Sequence, residues 1–361
     1  MLDNKLLEIY QNAIDNNCYF ENKISIAKRI KMFMYYFTII VVNMHHVKRY
    51  DNIHIINGKM ELKYASNKKY NNIYYGYITG NISKLKSINT HMSFCTRKRR
   101  ISIFLLAIKN YFILKISDGC LIYWVDFVFW NYFISMYRPQ IVLSNGHFDR
   151  LTTILSGLCN YYKIKFYMQQ HGIISQTQSV PYKIHCDCLY VFDQNEKRKF
   201  LNNVIKNTNC KVIEKYEHTV KFENSKKKSL TIGIIEQPVE EAMQIIRIVM
   251  NICGNYDIYI MLHPRSNIEI YRSLKKCSNI HFIEEKEWNL DLVISTPSTL
   301  AYDYIRAGFV NPIIFVDINR KLPEFKNEYP NLYYLDNIEK LGEIINDKIS
   351  EIKKEQQSNN N

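Results

Sequence analysis

The chain has 361 residues, 47% of them apolar, and a formal net charge of +14. That length is too great for one ordinary core and favours two domains of about 100–200 residues each. Nine cysteines, odd in number and scattered, fit a reducing cytoplasm better than a disulfide framework, and the lone Cys186-x-Cys188 pair, with no second pair at zinc-site spacing, argues against a metal site.

A basic surface attracts nucleic acid, anionic lipid or phosphorylated substrates. Heavy use of Lys, Asn, Ile and Tyr also reads as coding bias, and both origins of the charge stay open. Met1 to Asn16 mixes acids with apolar residues and has no apolar stretch of signal-peptide length. The run Tyr35 to Val42 reads as a strand, and Lys59 to Thr90 as loops with short strands. A cluster of four cations follows at Arg97, Lys98, Arg99 and Arg100. Ile101 to Ile116 and Leu121 to Tyr137 have helical length. The second is the most apolar stretch, yet it carries Asp126 and falls short of the roughly 20 residues of a spanning helix, so it reads as a buried helix, with a membrane-contacting surface as the alternative.

From Pro139 the pattern sharpens. Gln140 to Ser144, Lys165 to Met168 and Cys188 to Phe192 are short strands, with Leu151 to Tyr162 helical between the first two. Glu214 to Lys228 is polar and Lys-rich and reads as a linker. Beyond it strands are expected at Leu230–Ile235, Asp257–Leu262, Asn279–Ile283, Leu290–Ser295, Pro312–Asp317 and Leu332–Asp336. Helices are expected at Val239–Ile252, Asn267–Lys276, Ser298–Ala307 and Ile338–Lys354. Gly308 is the stop signal of the third. This rhythm predicts an α/β chain of two doubly wound, Rossmann-like domains facing a central cleft. Their bounds are 1–220 and 229–350, with a disordered tail at 351–361.

In open α/β sheets, ligands bind beyond the carboxyl ends of the strands. Five such ends are polar here: Asn145-Gly146-His147, Gln169-Gln170-His171-Gly172, Glu236-Gln237-Pro238, His263-Pro264-Arg265 and Ser295-Thr296-Pro297-Ser298-Thr299. His263 can donate to a phosphate or cap the next helix, and Arg265 can grip a phosphate with two hydrogen bonds. Ser295, Thr296, Ser298 and Thr299 gather hydroxyls and backbone N–H groups at a helix start, which suits an anion and ordinary capping equally. His171 can serve as a general base or as a structural loop residue. Glu236 and Gln237 can bind a ribose or base, or open a solvated helix. No G-x-G-x-x-G follows a strand and no G-x-x-x-x-G-K-[ST] occurs, which disfavours dehydrogenases and P-loop NTPases.

Together these residues resemble the bacterial GT-B glycosyltransferases of capsule and lipopolysaccharide synthesis. That group includes sialyltransferases, polysialyltransferases and Kdo transferases that use CMP-activated sugars. Its His-Pro motif is similar to His263-Pro264, its Ser/Thr motif to Ser295 through Thr299, and its Gln-Pro element to Gln237-Pro238. The resemblance spans about Pro139 to Asp317. It implies that Gln237, His263, Pro264, Arg265, Ser295, Thr296, Ser298 and Thr299 hold a nucleotide sugar on the C-terminal domain. Where the sialyltransferases carry a pair of acids, this chain reads Gln169-Gln170-His171-Gly172. That form resembles capsule-synthesis proteins and the polyol-phosphate polymerases of teichoic acid assembly.

The catalytic base is therefore sought in His171 or Asp149, with His147 and Glu236 as further candidates. The expected activity is transfer of sialic acid or Kdo from a CMP donor to a surface glycan or glycolipid, without metal or cofactor. A CDP-polyol phosphotransferase and a non-hydrolysing UDP-sugar epimerase are the alternatives. No nucleic-acid module is visible. The cluster Arg97 to Arg100 instead suits an anionic membrane, which would place a cytoplasmic enzyme at the inner face of the plasma membrane.

Overall fold

Short β-branched runs separated by helical spacings fold here as parallel sheet, because a helix between two strands returns the chain to the same sheet edge. A computed structural model describes residues 3–16, 30, 34, 51–56, 70–74, 97–113, 120–147, 149–176, 179–215, 229–236, 241–263, 266, 268–271, 274, 277–283, 289–329 and 332–358. The chain divides into two compact units, Met1–Tyr216 and Glu217–Asn361.

In the first unit the strands are β1 (Asn52–Ile56), β2 (Asn71–Tyr74), β3 (Ile141–Ser144), β4 (Lys165–Gln169), β5 (Cys188–Val191) and β6 (Lys211–Glu214). All pairs are parallel, in the order β2-β1-β3-β4-β5-β6. The helices are α1 (Asn4–Asp15), α2 (Arg97–Ile113), α3 (Leu121–Tyr137), α4 (Arg150–Tyr162) and α5 (Gln194–Asn203). The sheet grows in one direction from β1 to β2 and in the other through β3, so its winding reverses between β1 and β3.

The second unit has β7 (Thr231–Ile235), β8 (Asp257–Met261), β9 (Ile280–Ile283), β10 (Leu292–Ser295), β11 (Ile313–Val316) and β12 (Leu332–Leu335). Its helices are α6 (Ala242–Cys253), α7 (Thr299–Arg306), α8 (Phe325–Glu328) and α9 (Leu341–Ser358). The sheet is again parallel throughout, in the order β12-β11-β10-β7-β8-β9. Counted from the first strand of this unit, that is the 3-2-1-4-5-6 order of dinucleotide folds, with its switch point between β7 and β10. The two doubly wound α/β units expected from the sequence are thus present.

The apolar stretch Leu121–Tyr137 is a buried helix. Trp124, Phe127, Phe129 and Trp130 are all inaccessible to solvent. Its one acid, Asp126, is buried and meets the Arg150 guanidinium at 2.6 Å, so the charge enters the core already paired. The Trp124 indole donates to the Ala107 carbonyl at 2.8 Å and ties α3 to α2. Among the described residues no helix is long and apolar enough to cross a membrane.

Three expectations are corrected. Among the described residues of the expected helix Asn267–Lys276, Ile268–Tyr271 is a 3-10 turn, and its Tyr271 hydroxyl bonds Glu236. The tail expected to be disordered from residue 351 is helical to Ser358: Ile349 and Ile352 are buried, and the packed turn carries the polar residues behind it. The helix start expected at Val239 lies at Ala242. The run Tyr35 to Val42 lies outside the described residues, as does most of Lys59 to Thr90.

Helix α1 packs on α4 at Gly157, where a Cβ would stand 2.6 Å from Ile9 Cγ2. Alanine in a helix interior normally gains about 1 kcal/mol over glycine. Overpacking against a buried β-branched side chain costs about 1–3 kcal/mol and wins. Gly157→Ala is expected to lower the unfolding midpoint in urea; an unchanged or higher midpoint would show that α1 can shift freely.

Candidate functional site

Every strand of a parallel sheet ends on the same edge, so the residues just beyond those ends are brought together. In the N-terminal unit the edge at β1, β3 and β4 is built from histidines. His54 lies within β1 and is fully buried; its Nε2 donates to Asn145 Oδ1 at 3.0 Å. His147 and His171, from the ends of β3 and β4, stack with ring centroids 4.3 Å apart. His147 Nε2 accepts the backbone N–H groups of His171 at 3.2 Å and Gly172 at 3.4 Å. His171 Nδ1 donates to the Asn145 carbonyl. That bond fixes the tautomer and leaves the lone pair of a neutral His171 on Nε2, the arrangement a general base needs. His54 was missed in the sequence because it sits inside a strand rather than at its end.

Asp149, expected near the acceptor, has both carboxyl oxygens engaged in capping. It is the N-cap of α4, with Oδ1 accepting from Leu151 N at 2.9 Å and Thr152 N at 3.1 Å. Oδ2 takes the Thr152 hydroxyl at 2.9 Å. This network closes over Gly146, where any Cβ would collide with Thr152 Oγ1 and Asp149 Oδ2. Gln170 holds the neighbouring loop: it accepts from Phe192 N at 2.8 Å and donates to the Gly172 carbonyl at 3.0 Å and to Glu196. Glu196 is itself buried against Lys199 at 2.9 Å, and burial lifts its carboxyl above the usual range.

In the C-terminal unit β10, β7 and β8 are neighbours, so Ser295–Ser298, Glu236 and His263 leave the sheet side by side. Glu236 is buried, and its carboxyl is taken up by three hydrogen bonds that hold the strand end. Its Oε2 accepts from His263 N at 3.1 Å and from the Ser266 hydroxyl, and its Oε1 from Tyr271 at 2.8 Å. Burial, with the carboxylate added, pushes the Tyr271 phenol upward, so it remains a donor.

The hydroxyl cluster is likewise turned inward. Ser295 Oγ donates to the Thr296 carbonyl at 2.7 Å and Thr296 Oγ1 to the Ile235 carbonyl at 3.4 Å. Ser298 caps α7 by accepting from Leu300 N at 3.2 Å. What this loop offers a ligand is the backbone at the helix start more than its hydroxyls. Gly308, at φ 79°, ends the helix as expected. Gln237, Pro264, Arg265 and the Thr299 side chain lie outside the described residues.

A small cavity beside Thr296 and Pro297 adds groups the sequence did not suggest: Glu241, Asp317, Asn319 and Lys321. Asp317 is fully buried and shapes this turn by accepting from Lys321 N and Leu322 N at 2.8 and 2.7 Å. A larger cavity of about 410 Å³ is lined by residues that include Lys5, Gly157, Lys163 and His185. Lys163 and His185 precede β4 and β5, which places that cavity toward the opposite edge of the first sheet, away from the histidines. Among the described residues no group of three or more His, Cys, Asp or Glu is placed to hold a metal.

No protein-family model matches the chain, and no curated protein matches it. Solved structures similar to it include the UDP-GlcNAc 2-epimerase from Methanocaldococcus jannaschii, at 15% identity and TM-score 0.47, covering 82% of this chain and 92% of that one. The UDP-GlcNAc 2-epimerase from Neisseria meningitidis bound to UDP-GlcNAc is 12% identical with TM-score 0.43, covering 83% and 100%. The lipopolysaccharide outer core galactosyltransferase WaaB is 11% identical with TM-score 0.46, covering 83% and 90%.

The N-terminal site makes a pH prediction. Burial, with His171 beside it, holds His147 well below the usual histidine value, and its Nε2 must stay unprotonated to accept two N–H groups. A group whose folded value is depressed adds stability above its unfolded value, about 6.5, and loses it as pH falls through the folded one. The midpoint of thermal unfolding is expected to fall as pH drops below about 6.5. His147→Gln, which cannot take up a proton, is expected to flatten that slope; an equally steep slope in the variant would assign it to other groups.

Proposed function

We propose that this protein transfers a sugar from a nucleotide donor to a surface glycan or glycolipid. The observation that carries the reading is the switch point of the C-terminal sheet. There three adjacent strand ends present His263, the Glu236 anchor and the start of α7 on one edge. A helix start beside an imidazole suits a phosphate, and the Glu241 and Asn319 side chains beside Thr296 suit ribose hydroxyls. The donor we assign is CMP-linked, sialic acid or Kdo, supported by the likeness of His263-Pro264 and Ser295–Thr299 to the motifs of those transferases. The N-terminal unit is assigned the acceptor, with His171 as general base.

The chemistry needs two things: removal of a proton from the acceptor hydroxyl, and stabilisation of the charge that develops on the leaving phosphate. A neutral His171 with its lone pair on Nε2 meets the first. The α7 start and His263 meet the second.

A thermal-shift panel of CMP, CDP, UDP and GDP tests the donor. At about 100 times its dissociation constant the preferred nucleotide stabilises by about 2.7 kcal/mol. CMP is expected to raise the midpoint, and His263→Ala to abolish the rise; a variant that responds like the parent would remove the donor site from this edge.

Donor turnover followed by mass spectrometry, with and without acceptor glycans, tests the reaction. His171→Ala is expected to keep the CMP response and lose about 100-fold or more in turnover. Turnover of a UDP-sugar without any acceptor would replace transfer by epimerisation. Polyol-phosphate transfer from a CDP donor would point to the teichoic-acid chemistry.

A further inference from the structure

Helix α2 (Arg97–Ile113) is apolar on two faces. Phe104, Ala107 and Tyr111 are buried on one of them. On the other, Leu105, Leu106, Phe112 and Ile113 are exposed to 57%, 50%, 63% and 61%. Spacings of three, four and seven residues put positions 102, 105, 106, 109, 112 and 113 on a single outward face, four of the six large and apolar. Scattered apolar residues on a surface need no explanation, but a contiguous stripe of them marks an interaction site.

The charge on the same helix selects the occupant. Its 17 residues contain no acid, and it opens on Arg97, Lys98, Arg99 and Arg100, with Lys109 further along. Cations in the first turn oppose the helix dipole and repel one another, so this arrangement weakens the helix in water. A surface that is negative outside and apolar beneath relieves both terms. An exposed apolar stripe on a helix that opens with a cationic turn suits the boundary between anionic headgroups and acyl chains.

We propose that α2 docks this protein on an anionic lipid bilayer, with Leu105, Leu106, Phe112 and Ile113 entering the acyl boundary and the basic first turn meeting lipid phosphates. The inward face stays on α3 through Phe104, Ala107 and Tyr111, and the Trp124 indole bond to the Ala107 carbonyl holds it there. Docking therefore needs no unfolding of the unit. The proposal does not depend on the transfer reaction.

Co-sedimentation of the full chain with lipid vesicles tests this. The protein is expected to pellet with vesicles of phosphatidylcholine mixed with phosphatidylglycerol, and not with phosphatidylcholine alone. The double variant Leu105→Ser, Phe112→Ser is expected to bind about tenfold or more weakly. Arg99→Ala and Arg100→Ala are each expected to weaken binding about fivefold. An unchanged unfolding midpoint confirms that the serine variant is folded; if it is not, the arginine variants carry the test. Failure of the parent to pellet with anionic vesicles, or equal pelleting of the variants, would overturn the proposal. So would a parent that is dimeric by light scattering and becomes monomeric on serine substitution, since a second copy would then cover the face.

Discussion

Two carboxylates hold the polar strand ends in shape, and the rest of each site depends on them. Asp149 gathers two backbone N–H groups and a hydroxyl at the end of β3. Glu236 gathers a backbone N–H and two hydroxyls beside β7 and β8. Hydrogen bonds to an ionised acceptor are shorter and about twice as strong as neutral ones. A carboxylate so engaged stabilises its loop, and the same bonds draw off the electron density a base or nucleophile would need. Acid residues near a strand end attract a catalytic reading from sequence, yet here both serve as ligaments. Beside these ligaments the Asn145 carbonyl takes the Nδ1–H of His171 and so leaves the lone pair of the neutral ring on Nε2.

The stacked pair His147 and His171 illustrates how burial separates two chemically identical groups. His147 is enclosed and accepts two N–H groups, so it is fixed as a neutral acceptor. His171 is only partly enclosed, and its Nδ1 is a donor. Protonating one ring would repel a charge on the other 4.3 Å away. Burial, with the neighbouring ring, therefore keeps a positive charge off His147. Electrostatics of this kind is invisible in a sequence, where both read as loop histidines following a strand.

What was legible follows from which physics is local. Parallel strands buried on both faces read as continuous β-branched runs, so β7, β8, β10 and β11 stand out in the sequence. The Gly308 helix stop is legible because only a left-handed residue closes that turn cheaply. By contrast β1 (NIHII) contains a histidine, and β6 (KVIE) is capped by charges, so neither reads as a strand before its neighbours are known. The segment after β8 has helical spacing, but it holds a 3-10 turn whose Tyr271 hydroxyl bonds Glu236, 35 residues away in sequence. The polar strand ends could be named in advance. The direction each side chain faces could not, because capping and ligand binding use the same residue types.

The contrast between α2 and α3 turns on the same distinction. Both are 17-residue apolar helices, and α3 is the more apolar. From composition alone, α3 with its tryptophans is the better membrane candidate. Its acid reverses that reading: Asp126 requires a partner in the core, Arg150 supplies it at 2.6 Å, and the helix is thereby committed to the protein interior. Helix α2 has no acid, and Leu105, Leu106, Phe112 and Ile113 leave its second apolar face outward. One buried, paired charge fixes which of the two helices belongs to the core.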